Sequence, residues 1–202
     1  MVPRWNAHVI GPGVSCFHNL NRLALPTGGT MMVFGLAGGL RSEAQTGRVF
    51  QIHSVRNIDG SILEPTASLS VFGIGGSIPS AVVACVNDVV HSPSAKASLA
   101  HRTGASLVDM ESAHIAQWCL ANNWKWCMVR AVLDGPNDTL PPGIMNWCDQ
   151  NGKLNGWAML RSVLFHPGLI AALPWLARAN RIAGDALRSV LGHPVSILAK
   201  SH

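Results

Sequence analysis

Three ionisable side chains, Glu111, Arg130 and Asp134, stand at spacings suited to chemistry on a small polar substrate. Asp134 closes the run Val129-Arg130-Ala131-Val132-Leu133-Asp134, which is apolar except for Arg130. Such a run between polar neighbours predicts a buried strand, which places Asp134 at its C-terminal end. In open α/β sheets ligands bind at that edge. A carboxylate there is either a proton-transfer group or a well-satisfied cap for the turn that Gly135-Pro136 begins. Arg130 is costly inside an apolar strand unless it is paired, so a carboxylate or anionic partner is expected. Glu111 lies in Val108-Asp109-Met110-Glu111-Ser112-Ala113, where an apolar run meets carboxylates at the head of a stretch of helical length. It can accept charge-assisted hydrogen bonds from two ligand hydroxyls. Its other reading is a solvated first-turn Glu that favours the helix dipole.

The elements that must position these groups follow from periodicity. Residues 31–34 read as a buried strand that runs into a glycine-rich turn at residues 35–39. Residues 48–55 alternate apolar and polar side chains, which predicts a half-exposed strand, and residues 57–61 form a turn. Residues 71–77 tempt one toward a dinucleotide loop, but the G-x-G-x-x-G spacing is absent, and a flexible connection is expected. Residues 81–90 are strongly β-branched and predict a central strand. A short helix is predicted over 93–102 and a second over 111–122, closed by Asn122-Asn123. The last strand spans 126–133, and a rigid loop follows over 135–143. Helices near 157–165 and 167–191 finish the chain. Strands alternating with helices point to an α/β fold, a central mixed twisted sheet between helix layers.

Composition narrows the function classes. With 202 residues, the chain is long enough for one domain with a three-layer core, residues 153–202 forming a helical extension. Apolar residues make up 48 % and charged residues only 12 %, yet no apolar stretch is long enough to span a bilayer. The first six residues lack the apolar core of a signal peptide, and a cytoplasmic protein is expected. Five cysteines show no C-x-x-C and no metal-ligand spacing, so free, mostly buried thiols are expected rather than a metal site. A net charge of +5 invites a nucleic-acid reading, but the basic residues do not cluster. After residue 150 they appear singly as Lys153, Arg161, Arg178, Arg181, Arg188 and Lys200. That pattern is a basic amphipathic surface meeting an anionic membrane, or a plain solvated helix face.

Three motifs in order, Phe34-Gly35-Leu36-Ala37-Gly38-Gly39-Leu40 and the two blocks above, resemble the nucleoside phosphorylase and nucleosidase superfamily. That superfamily includes the purine and uridine phosphorylases and the methylthioadenosine/S-adenosylhomocysteine nucleosidases. Its pattern is a strand ending in Ala-Gly-Gly-Leu, a Met-Glu-x-Ala helix start and a Val-Arg-Ala-x-x-Asp strand end. The resemblance covers residues 31–138. Val89-Val90-His91-Ser92-Pro93, Arg102-Thr103-Gly104-Ala105, Leu140-Pro141-Pro142, Leu160-Arg161-Ser162-Val163-Leu164 and His166-Pro167-Gly168 look like its hopanoid-associated branch, whose members act on adenosylhopane.

The resemblance implies a phosphorylase-like three-layer fold and cleavage of the N-glycosidic bond of an adenine nucleoside, adenosylhopane in this branch. A general adenine nucleosidase and a catalytically weak nucleoside-binding homologue are the alternatives. By resemblance Asp134 gives a proton to the leaving base, Arg130 lies beside the reaction centre, and Glu111 holds the ribose hydroxyls. Met110 packs on the sugar or is simply core. Ala37, Gly38 and Gly39 bring backbone close to ligand or phosphate. Val90 and His91 align loosely with the adenine-contacting segment, although His91 also reads as an ordinary surface histidine. No cofactor is implied, phosphate is the conceivable co-substrate, and a homo-oligomer is expected. The family's first strand and loop often supply a second acid, whereas here no acid precedes Glu43. Residues 6–13 look like the region just after that strand, so a shortened N-terminal strand region is expected and the activation of water or phosphate is in doubt. For residues 157–191, an apolar face rimmed by Arg161, Arg178, Arg181 and Arg188 is expected at a membrane surface, or packed on the sheet or a second subunit.

Overall fold

Alternation along a single strand explains the layering. The computed structural model of the chain describes residues 6, 8–10, 13, 15–72, 74, 78–141 and 169–191. The strand β6 (Trp124–Asp134) sends Trp126, Met128 and Val132 to one face and Cys127 and Val129 to the other. The first face packs on α1 (Ser15–Arg22) and α3 (Ser112–Ala121) through Cys16, Leu20, Ile115, Trp118 and Cys119. The second face packs on a 3-10 turn, Leu69–Phe72, through Leu69, and on α4 (Leu169–Leu191) through Leu187. A strand buried on both faces reads as a continuous apolar run because neither side needs to meet water. This is the α/β architecture expected, helices on both faces of a mixed sheet.

The remaining elements are β1 (Gly29–Gly39), β2 (Val49–Arg56), β3 (Ile62–Leu63), β4 (Ser80–Cys85), α2 (Pro93–Thr103) and β5 (Leu107–Asp109). The sheet order is β3-β2-β4-β5-β1-β6, and a further antiparallel pairing of β2 with β6 joins the two sides of the sheet. β1 runs parallel to β6 and antiparallel to β5. It therefore lies between the two strands that carry the acidic groups. The helix α2 has the end signals its sequence encodes. Ser92 caps it by accepting from the Ala95 N–H at 3.3 Å, Pro93 opens it, and Gly104 closes it at φ 70° with its N–H on the Ala100 carbonyl.

Two expectations are corrected. Residues 35–39 are not a turn but the second half of β1. Gly35 pairs with Arg130, Gly38 with both Val108 and Asp134, and Gly39 with Leu107, so the ladder holds the backbone on both sides. The strand expected over 81–90 ends at Cys85, because the polar pair Asn87-Asp88 turns the chain out; Val89 and Val90 belong to the loop before α2. Of the places expected for the apolar face of residues 157–191, the described part, α4, takes the sheet. Ala179 and Ala183 are buried and Leu187 continues their row, while Arg178 and Arg181 stay exposed and Arg188 pairs with the exposed Asp185. The helix expected near 157–165, Cys148 and most of the segment 71–77 beyond the 3-10 turn lie outside the described residues. Among the described residues no helix is long and apolar enough to cross a membrane.

Candidate active site

The first cluster forms where β5 gives way to α3, opposite the middle of β6. Arg130 is 1 % exposed and points from β6 to the α1/α3 side of the sheet. Its Nε donates to Asp109 Oδ2 at 2.7 Å and its Nη2 to Ser112 Oγ at 2.8 Å. Ser112 donates in turn from Oγ to Asp109 Oδ2 and from its backbone N–H to Asp109 Oδ1 at 3.2 Å. The partner that Arg130 requires is thus Asp109, and the side chain that satisfies the first turn of α3 is Asp109 rather than Glu111. Burial works against a charged Arg130, but the Asp109 and Glu111 carboxylates outweigh it and raise its hold on the proton. Room for the guanidinium comes from Gly35. A Cβ at Gly35 would stand 2.3 Å from Arg130 Nη1.

Glu111 occupies the N-cap position of α3 without capping it. Its Oε1 accepts from the Gly13 N–H at 2.7 Å, across 98 positions of chain. Burial, then the nearby Asp109, push its carboxyl upward, while Arg130 and the Gly13 N–H pull the other way. Met110 is half-buried, and its Cε lies 3.7 Å from where a Cβ on Gly13 would be. Met110 and Glu111 therefore adjoin the same turn of backbone, which is how the segment before α1 reaches the site. Cys16 and Cys85 flank the cluster, and burial pushes both thiols to about 12, so they are protonated bystanders at neutral pH.

The second cluster sits at the C-terminal end of β6, where Asp134 is the last residue. Asp134 is buried, and its Oδ2 accepts from Lys96 Nζ at 2.5 Å. The same ammonium donates to the carbonyl of Gly135 at 2.7 Å and of Asp138 at 2.9 Å. The turn is closed by the Gly135 N–H, which donates to Asp138 Oδ2 at 2.7 Å. Burial raises the Asp134 carboxyl, Lys96 opposes that rise, and Asp138 adds to it. Gly38 makes room here as Gly35 does for Arg130, because its Cβ would stand 3.4 Å from both Asp134 oxygens and 3.1 Å from Val108 Cγ1. At Gly39 a Cβ would meet the Ala44 carbonyl oxygen at 2.0 Å. These glycines thus have a packing reason within the chain itself. Ala37 is buried in β1 opposite Val132.

Val90 and His91 lie in the loop that enters α2, both half-buried. The His91 carbonyl accepts from the Leu140 N–H at 3.0 Å, and its Nδ1 is buried with no hydrogen-bond partner among the described residues. They line a cleft of about 480 Å³ together with Val89, Leu99 and Arg102. The structure thus brings Glu111, Met110 and Arg130 into one cluster and Asp134 into a second, with Arg130 and Asp134 on the same strand, β6. Sequence reasoning missed Asp109 and Ser112, although both stand in the block that drew attention to Glu111. It also missed Lys96. A lone lysine among Ser94, Ala95, Ala97 and Ser98 reads as a solvated surface group, and only the fold turns it inward.

A family model described as the phosphorylase superfamily matches residues 73–154, the span that holds α2, β5, α3 and β6. No curated protein matches the chain. The fold is similar to that of futalosine hydrolase from Helicobacter pylori, with a TM-score of 0.60, 16 % identity, and coverage of 90 % of this chain and 76 % of that one. It is also similar to the 5′-methylthioadenosine/S-adenosylhomocysteine nucleosidase of Helicobacter pylori, with a TM-score of 0.58, 16 % identity and the same coverages. The corresponding nucleosidase of Colwellia psychrerythraea, solved in complex with adenine, has a TM-score of 0.51 at 17 % identity, covering 62 % of this chain and 63 % of that one.

Proposed function

We propose that this protein is an enzyme that cleaves the N-glycosidic bond of an adenine nucleoside. The observation that carries the reading is Asp134. It is a buried carboxyl, raised by its burial, that ends a central strand inside the segment matching the phosphorylase superfamily. Breaking the bond between the sugar and a purine leaves negative charge on the base. A carboxyl whose burial raises its hold on the proton can neutralise that charge as it forms, which is the work of a general acid. Glu111 then accepts the 2′ and 3′ hydroxyls of the ribose, and Met110 packs on the sugar beside it. Arg130 acts at one remove. Its Nε and Nη2 are engaged with Asp109 and Ser112, so it fixes the start of α3, and with it Glu111, rather than meeting the reacting atoms. Val90 and His91, next to an apolar cleft and with a ring nitrogen that has no partner among the described residues, suit the edge of a purine.

We take adenosylhopane as the substrate, on the motifs around His91, Arg102 and Leu140 and on the apolar lining of the cleft. The exposed Arg178 and Arg181 on α4 are the residues that would touch an anionic membrane carrying it. One assay separates the readings: adenine release from adenosylhopane and from methylthioadenosine, each with and without phosphate. Release from adenosylhopane in preference to methylthioadenosine supports the full proposal. Release from methylthioadenosine alone makes the protein a general adenine nucleosidase, and dependence on phosphate makes it a phosphorylase. Binding of both without release of adenine overturns the enzymatic reading and leaves a nucleoside-binding homologue.

A further inference from the structure

Lys96 is one of the largest fully buried side chains, and its ammonium has three acceptors for its three protons: Asp134 Oδ2, the Gly135 carbonyl and the Asp138 carbonyl. A buried ion pair is weak evidence for stability, since apolar residues of similar volume do as well or better at such places. The arrangement is therefore more specific than packing requires. It ties the end of β6 to the turn behind it and engages one oxygen of Asp134 while leaving the other outside the ammonium's grip. We infer that Lys96 is a positioning residue for the proton donor: it holds Asp134 by Oδ2, so that Oδ1 carries the proton to the base, and it stabilises the carboxylate left behind. The inference rests on the reading of Asp134 as that donor.

The step balances. The C1′–N9 bond breaks and its electron pair passes to the base, Asp134 Oδ1 gives its proton to N7, and water adds its oxygen to C1′. The proton that this water sheds goes to solvent, from which Asp134 is reprotonated. Negative charge thus moves onto the buried Asp134, where a counter-charge already in place needs no reorganisation during the reaction. Among the described residues, the charged groups that face Asp134 are few. From α2 comes Lys96, which favours the carboxylate; from the turn comes Asp138, which disfavours it. β1 presents Gly38 and β5 presents Val108, neither of which titrates.

The test measures adenine release from methylthioadenosine by the full chain across pH, for wild type, Lys96→Met, Lys96→Gln, Lys96→Arg and Asp134→Asn. The neutral Lys96 variants should lose kcat by about 10²-fold, the low end of what a well-placed proton donor contributes, with KM unchanged. Activity depends on protonated Asp134, so it falls as pH rises through that group's titration. Without Lys96 the carboxyl holds its proton more tightly, and this alkaline limb should move to higher pH. Lys96→Arg should recover most of kcat and return the limb toward its wild-type place. A wild-type kcat and an unmoved limb in the neutral variants, with Asp134→Asn inactive, overturn the role of Lys96 and leave the proposed function standing. Wild-type turnover by Asp134→Asn overturns the function itself. If neither neutral variant folds, nitrogen NMR of the wild type decides. A Lys96 ammonium that persists through the alkaline limb supports the inference, and a neutral amine there overturns it.

Discussion

Removing Arg130 should be the costliest single change in the site, and its cost should be recoverable. The pair Arg130–Asp109 is buried on both sides, with side-chain exposures of 1 % and 1 % and an Nε–Oδ2 separation of 2.7 Å. In Arg130→Met the apolar stem persists, but Asp109 and Glu111 are left as two neighbouring carboxylates with no cation between them. Breaking a buried pair from one side typically costs about 3–5 kcal/mol. That is a fifth or more of the roughly 5–15 kcal/mol that stabilises a whole domain. Adding Asp109→Asn removes the stranded charge and leaves Ser112 with a partner for its N–H. The double variant should therefore be more stable than Arg130→Met alone, with a coupling energy of about 2–3 kcal/mol between the two positions. Urea unfolding of the four proteins, read by tryptophan fluorescence and circular dichroism with a common slope, measures the cycle. An Arg130→Met variant within about 1 kcal/mol of wild type, or costs that simply add, would refute the account of the cluster.

The glycines of β1 make a graded prediction. Gly39→Ala drives a methyl into the backbone carbonyl of Ala44, which cannot step aside, whereas Gly35→Ala meets the end of the Arg130 side chain. Gly35→Ala should cost about 1–3 kcal/mol in urea unfolding, as overpacking does, and Gly39→Ala more; the reverse order would count against the packing described. Glu111→Gln should trade affinity for stability. Loss of two charge-assisted bonds weakens a ribose-bearing ligand by about 2–4 kcal/mol and leaves free adenine untouched, as calorimetric titration of each would show. The folded protein holds a proton on Glu111 above its usual range, so that group's contribution is complete below its unfolded value of 4.5 and is lost as pH rises through the raised one. The unfolding free energy of Glu111→Gln should therefore gain on wild type between acid and neutral pH, by on the order of 1 kcal/mol; a constant difference across pH would show that Glu111 does not titrate as described.

Much of the scaffold was legible because local signals and tertiary packing agree. The helix α2 carries its cap, its proline and its closing glycine in order, and β6 has an apolar run that suits a strand buried on both faces. Asp134 fell at the end of its strand for the same reason. The sequence misled where pairing partners decide the outcome. Glycines 35, 38 and 39 read as a turn, yet the ladder with β5 and β6 holds them extended and uses their missing side chains to admit Arg130 and the Asp134 carboxylate. The apolar residues of α4 read equally as a membrane face or a core face, since periodicity gives a direction without naming what lies there. That Arg130 must have a partner followed from the cost of burying it, but which carboxylate it takes depends on how β5 is set beside β6. Lys96 carried no signal at all. Its role exists only because the turn after Asp134 folds back onto α2.

The central claim is that Asp134 protonates the leaving base. Single-turnover release of adenine, with enzyme in excess over bound methylthioadenosine or adenosylhopane, isolates that step from binding and product release. Asp134→Asn keeps the shape of the side chain and removes the proton, so it should release adenine about 10²–10⁴-fold more slowly than wild type while binding the nucleoside as tightly. Release at the wild-type rate by Asp134→Asn would contradict the claim.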